Sequence, residues 1–97
     1  MIIAICIEDK QNNLVGNAHI VTIENDEIVQ VVSDKVFIKD ENHLALWILR
    51  NEINCLYMDN VTTKVNMFCR NWHIEVYDLD ESKEQTILTP LLNEILV

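Results

Sequence analysis

Residues 2–9, IIAICIED, open the chain with an unbroken apolar run that ends on two carboxylates. A strand with one face in water alternates apolar and polar residues, and this one does not. The run therefore predicts a strand buried on both faces, in the middle of a sheet. Outward from it, KQNNLVGN (10–17) reads as a loop, followed by two more strands, AHIVTIE (18–24) and EIVQVVS (27–33). Only Asn25 and Asp26 separate them. Both tolerate the positive φ of a primed turn, so the pair predicts a tight hairpin.

DKVFIKDEN (34–42) is expected to carry the chain across the molecule into a helix over NHLALWILRN, with Leu44, Ala45, Ile48 and Leu49 at helical spacing and Asp40 or Asn42 as cap. NCLYM (54–58) is a short buried strand. Asp59 and Asn60 then predict the start of a second helix, with Val61, Val65, Phe68, Cys69 and Trp72 along one stripe. HIEVYDL (73–79) alternates as an edge strand, with Ile74 and Val76 inward and His73 and Glu75 outward. SKEQ (82–85) fits a capping box for a last helix, whose Ile87, Leu88, Leu91, Leu92, Ile95 and Leu96 make one stripe through Pro90. The order is βββαβαβα. Right-handed crossovers through the helical segments let strands 1, 4 and 5 run parallel, while strands 2 and 3 return as a hairpin. The expected sheet is mixed, in the order 3-2-1-4-5, flanked by three helices. That is an α/β, ribonuclease H-like arrangement, with residues 1–97 as one domain.

The chain has 97 residues, 49% of them hydrophobic and spread along its length. This excludes a disordered polar tail. No apolar run reaches the roughly 20 residues of a membrane span, and the N-terminus lacks the basic region and cleavage site of a secretory signal. The reading is a soluble, cytoplasmic protein with no membrane partner. Sixteen acidic against 7 basic residues give a formal charge of −9. A phosphate backbone is repelled by such a field, and the basic residues form no stripe, so no nucleic acid is expected as partner. Cys6, Cys55 and Cys69 are odd in number and widely spaced. They fit neither a disulfide framework nor a zinc knuckle, and are read as small core residues.

Three stretches resemble the dinitrogenase iron-molybdenum cofactor biosynthesis family of small nitrogenase cofactor-binding proteins. MIIAICIED (1–9) is similar to that family's opening strand. LVGNAHIVTIENDEIVQV (14–31) is similar to its phenylalanine-glycine-x-alanine stretch and hairpin, and CLYMDNVTTKVNMFCRNWHIEVY (55–77) to its strand, turn, helix and final strand. The resemblance implies a ribonuclease H-like fold and a non-enzymatic binder or carrier of an iron-molybdenum or iron–sulfur cluster. Gly16, the one glycine of the chain, stands where the family has a glycine. It is expected either to turn the backbone with positive φ or to sit against a close neighbour. Three soft side chains are placed by the element order within reach of that loop: His19, His43 and Met58. Imidazole is a ligand such a cluster accepts, and an ordinary surface position is the other reading of each histidine.

The chain is a divergent member by this reading. Val15 replaces the aromatic residue, Asn17 a basic one, and Met58-Asp59-Asn60-Val61 a glycine-rich turn. The alternative function is a degenerate member that keeps the fold as a protein-interaction or oligomerisation module, a homo-oligomer included. Trp47 and Trp72 then serve as anchors, or else fill the core. Carboxylates at strand ends (Glu8, Asp9, Asp59, Asp78, Asp80) read as loop-end solvation and capping before a hard-cation site. One glycine cannot build a nucleophile elbow, a P-loop or a dinucleotide fingerprint, and no catalytic residues are assigned.

Overall fold

The computed structural model describes residues 1–9, 11 and 14–79. Three strands come first, β1 (Ile2–Glu8), β2 (Val15–Glu24) and β3 (Glu27–Phe37). They are followed by α1 (Glu41–Arg50), β4 (Cys55–Met58), α2 (Thr63–Asn71) and β5 (Glu75–Asp78). The five strands form one open mixed sheet in the order β3-β2-β1-β4-β5. β1 pairs antiparallel with β2 and parallel with β4, and β4 pairs parallel with β5. The α/β class, strand order and mixed sense are those expected. The third expected helix falls in residues 82–97, outside the described residues.

β1 is central because both of its faces are apolar. Ala4 and Cys6 face α1 and α2, packing with Leu44, Trp47, Ile48, Leu56, Val65 and Cys69. Ile3 and Ile5 point to the other face, packing with Val21, Cys55, Tyr57 and Leu79. The hairpin turn is of the primed kind, with φ of 53° at Asn25 and 62° at Asp26. Asp40 caps α1, its Oδ1 accepting from the His43 amide at 3.0 Å.

Several boundaries move. β2 starts at Val15 and so contains Gly16, and β3 runs on to Phe37 instead of ending at Ser33, because the two strands pair continuously from Val15↔Phe37 to Glu24↔Glu27. The residues assigned to a loop and a crossing segment thus add a second length of ladder. The cap of α2 is Thr62, not Asp59 or Asn60. Its hydroxyl accepts from the Val65 amide at 3.2 Å, while Asn60 takes a positive φ of 55° in the turn before it. Trp72 ends α2 and is 58% exposed. His73 lies outside β5, at φ 58°, where the chain reverses and the Ile74 amide returns to the Cys69 carbonyl at 2.7 Å. No helix among the described residues is long and apolar enough to cross a membrane.

Candidate functional site

β3 is antiparallel to β2, which is antiparallel to β1, so β3 and β1 run the same way. The carboxyl ends of β1, β3, β4 and β5 therefore share one edge of the sheet, and both helices begin there. In open α/β sheets this edge is where ligands are received, because loops and helix N-termini converge on it. Here the two N-termini are tied together. The Thr62 hydroxyl, besides capping α2, donates to the Glu41 carboxylate at 2.5 Å. A second tie fixes α1 to the sheet, with Trp47 Nε1 donating to Asp34 Oδ2 on β3 at 3.1 Å. Trp47 is buried, at 5% exposure, which removes it as an exposed anchor.

Beside these N-termini lies an open depression of 740 Å³ whose wall includes Leu14, Phe37, Lys39, His43 and Lys64. The His43 ring stands edge-on to Phe37, with centroids 5.1 Å apart and planes at 83°. Leu14 and Phe37 are exposed, so the depression has an apolar lip, and its rim is of mixed charge, with Lys39 and Lys64 beside Asp40 and Glu41. A smaller cavity of 100 Å³, sharing Lys39 and Glu41 with it, is lined by Ile38, Met58 and Asn60.

The four sequence candidates divide. Gly16 is on β2 at this edge, opposite Glu8 on one side and Val36 on the other. Its φ is not positive. What demands glycine is Ile38: a Cβ on residue 16 would stand 2.6 Å from Ile38 Cγ2 and 3.3 Å from the Ile7 carbonyl oxygen. The close neighbour is thus a core side chain of this protein. Met58 is buried beside Ile38 and Val65, reaching only the small cavity. His43 is at the depression. His19 is elsewhere, in mid-β2 on the face away from α1 and α2, with Nδ1 3.3 Å from the Ser33 hydroxyl and Asn17 and Lys35 around it. The fold therefore gathers Gly16, His43 and Met58 along one edge and leaves His19 on the opposite face.

Cys6 and Cys55 are buried, and desolvation pushes their thiols up from 9.0 to about 12; Cys69, likewise buried, rises to about 11. At neutral pH they are protonated, as the core reading expects, and offer no thiolate. Among the described residues no three His, Cys, Asp or Glu side chains come together as metal ligands do. The far face carries a feature the sequence did not announce. Tyr57 and Tyr77 stack at 5.2 Å, and the Tyr77 hydroxyl donates to Glu75 at 3.1 Å. Burial raises the Tyr57 phenol, and the bond to Glu75 is the main cause raising Tyr77.

No protein-family model matches the chain, and no curated protein does. Solved structures do match it. One of these, the crystal structure of PH0822, superposes with a TM-score of 0.68 over 99% of this chain and 90% of that one, at 13% sequence identity. The likeness is one of fold. It extends over nearly the whole of both chains, so the sheet and helices described above form a recurring arrangement and not an accident of this sequence.

Other residues at the edge were illegible in the sequence. Thr62 carried a usable signal, a hydroxyl three positions before the first buried helical residue, but Asp59 and Asn60 offered the same chemistry nearby. Ile38 and Asp34 carried none, since their roles depend on a strand and a helix meeting them from elsewhere in the chain.

Proposed function

We propose that this chain is a non-enzymatic, cytoplasmic binding protein of ribonuclease H-like fold, related at a distance to the nitrogenase cofactor-binding proteins it resembles. Its cargo, an iron-molybdenum or iron–sulfur cluster, is taken up at the depression on the carboxyl edge. The observation that carries this reading is the convergence of Gly16, His43 and Met58 on that edge, beside an open depression that His43 lines.

The donor set sets limits on the cargo. His43 is the imidazole at the depression, the thiols are buried and protonated, and Met58 faces inward. Such an edge fits a preassembled cluster held loosely at His43, with the charge of Lys39 and Lys64 offset by Asp40 and Glu41 on the same wall. It does not fit a cluster built on the protein's own thiolates. Iron and molybdenum analysis with a visible spectrum, on protein purified without oxygen, tests the reading. Stoichiometric metal lost in His43→Ala and kept in His19→Ala is the expected result. Metal kept equally in both variants removes His43, and a colourless protein that also fails to take up added cluster ends the reading.

A second reading, a protein-interaction or oligomerisation module without cargo, is favoured by a different observation. Among the described residues β3 is an edge of the sheet, and of its eleven residues only Val36 is buried. Ile28, Val29, Val31 and Val32 are all exposed on it. Soluble proteins blunt such edges or use them.

A further inference from the structure

We propose that β3 pairs antiparallel with β3 of a second copy of this chain, around a two-fold axis at Val32, joining two five-stranded sheets into one. The inference rests on the interaction reading and names its partner.

The backbone dictates which groups of β3 are open. At one end of β2 the Ile23 amide donates to the Met1 carbonyl at 2.8 Å and the Met1 amine donates back to Ile23 at 3.0 Å. At the other end the Asp9 amide donates to Val15 at 2.9 Å. Antiparallel ladders alternate, so the odd-numbered residues of β2 turn their backbone groups to β1 and Gly16, Ala18, Ile20 and Thr22 turn theirs to β3. Ile38 agrees, its amide donating to Leu14 at 3.1 Å. The partners of those four, Val36, Asp34, Val32 and Gln30, are occupied inward. Val31, Ser33 and Lys35 direct their amides and carbonyls outward, the Lys35 amide being taken by Asp34 Oδ1 at 2.8 Å.

The side chains choose the register. The irregularity between Thr22 and Ile23 interrupts the ladder toward the hairpin, confining regular pairing to the stretch from Gln30 onward. An axis at Asp34 opposes two carboxylates. An axis at Ser33 sets Lys35 over valine and Asp34 over valine. The axis at Val32 opposes no carboxylates and sets Asp34 over Gln30, with Lys35 reaching Val29 only at the irregularity, beyond the regular stretch. Val31 then exchanges ladder bonds with Ser33 across the axis, twice by symmetry, for about four backbone bonds. Val32 meets Val32 at a non-hydrogen-bonded position, where side chains are closest. Gln30 and Asp34 share a face and stand opposite, so the amide can donate to a remaining lone pair of the carboxylate, whose Oδ1 already accepts from the Lys35 amide and whose Oδ2 accepts from Trp47. Everything the interface needs is present on one strand, which is what an isologous contact requires. Each chain carries −9 overall, but this stretch holds one Asp and one Lys, and repulsion from the remainder is screened over about 8 Å at physiological salt.

The test is sedimentation equilibrium of the full chain, with site-directed cross-linking. The unmodified chain is expected to sediment as a dimer. Val32→Cys places two thiols across the axis within disulfide reach and is expected to oxidise to a covalent dimer at least about tenfold faster than Gln30→Cys, whose symmetry mates lie about 13 Å apart at strand rise. The native thiols are buried and stay out of the reaction. Val32→Lys, on an exposed position, is expected to keep the fold by circular dichroism and to weaken dimerisation at least about tenfold. A monomer at every concentration overturns the inference. So does a dimer in which Gln30→Cys cross-links as fast as Val32→Cys. A monomer whose β3 binds an unrelated protein, or a dimer indifferent to Val32→Lys, also overturns it but leaves the interaction reading standing.

Discussion

β2 and β3 are neighbours of ten and eleven residues, both rich in β-branched side chains, and they pair along their whole length. Their fates differ. β2 lies between two strands and buries Gly16, Ala18 and Val21, whereas β3, among the described residues, has a neighbour on one side and buries Val36 alone. Composition does not separate them, and position in the sheet does. A valine is worth burial only where a second layer and a second strand reach it. The same chemistry therefore serves as core in one strand and as an available surface in the next.

The comparison breaks first, and most severely, if the interior is not as close-packed as it looks. Leu56→Ala, at the fully buried middle of β4, is expected to cost about 2–5 kcal/mol in urea unfolding through the lost transfer energy and the cavity left behind. A cost below about 1 kcal/mol would mean that the sheet centre is loose.

Gly16→Ala sharpens the contrast inside β2. The added methyl meets Ile38, a β-branched side chain with little freedom to move, and the expected cost is about 1–3 kcal/mol. Ile38→Ala removes the offending carbon, so the double variant should be less destabilised than the sum of the two single changes. Additivity would show that Ile38 is not why residue 16 is glycine.

Alkaline unfolding comes next. The buried thiols of Cys6 and Cys55 titrate near 12 when folded against about 9 when unfolded. Raised folded values mean that the unfolded chain releases protons first. The stability held by the neutral thiols is thus complete below pH 9 and is lost as pH climbs from there toward 12. A denaturation midpoint flat across that window would contradict it. At neutral pH a thiol reagent should modify the cysteines only as fast as the protein opens.

Trp47→Phe tests the link between the edge strand and the helix layer. It deletes the bond to Asp34 while keeping most of the buried ring, and should cost about 1.5–3 kcal/mol, the amount for a hydrogen bond to a charged group. The smallest effect is expected at β3 itself: Val31→Thr should change the stability of the separated chain, measured at low concentration, by no more than about 0.5 kcal/mol. A large loss there would place β3 among the interior strands and erase the contrast.

The candidate edge was legible in part. His43 could be placed because Asp40 announces the start of α1, and Met58 because the short apolar run of β4 ends on it. His19 could not, since an imidazole inside a strand goes to one face or the other according to pairing parity, and that parity is set by β1 and β3. Gly16 was legible as a residue needing explanation, while its explanation, Ile38, arrives from beyond the hairpin. Trp47 and Trp72 looked alike in the chain, and only the packing of α1 against Asp34 made one a core residue and left the other in solvent.

By itself the sequence determined the α/β class, the central place of β1, the primed turn at Asn25-Asp26 and the strand order 3-2-1-4-5. Each follows from local periodicity, turn chemistry or the handedness of crossovers. Tertiary structure alone decided how far β2 and β3 extend, which of two similar strands is buried, and which side chains share the carboxyl edge. Those outcomes depend on contacts between segments far apart in the chain, whose energy no local pattern contains.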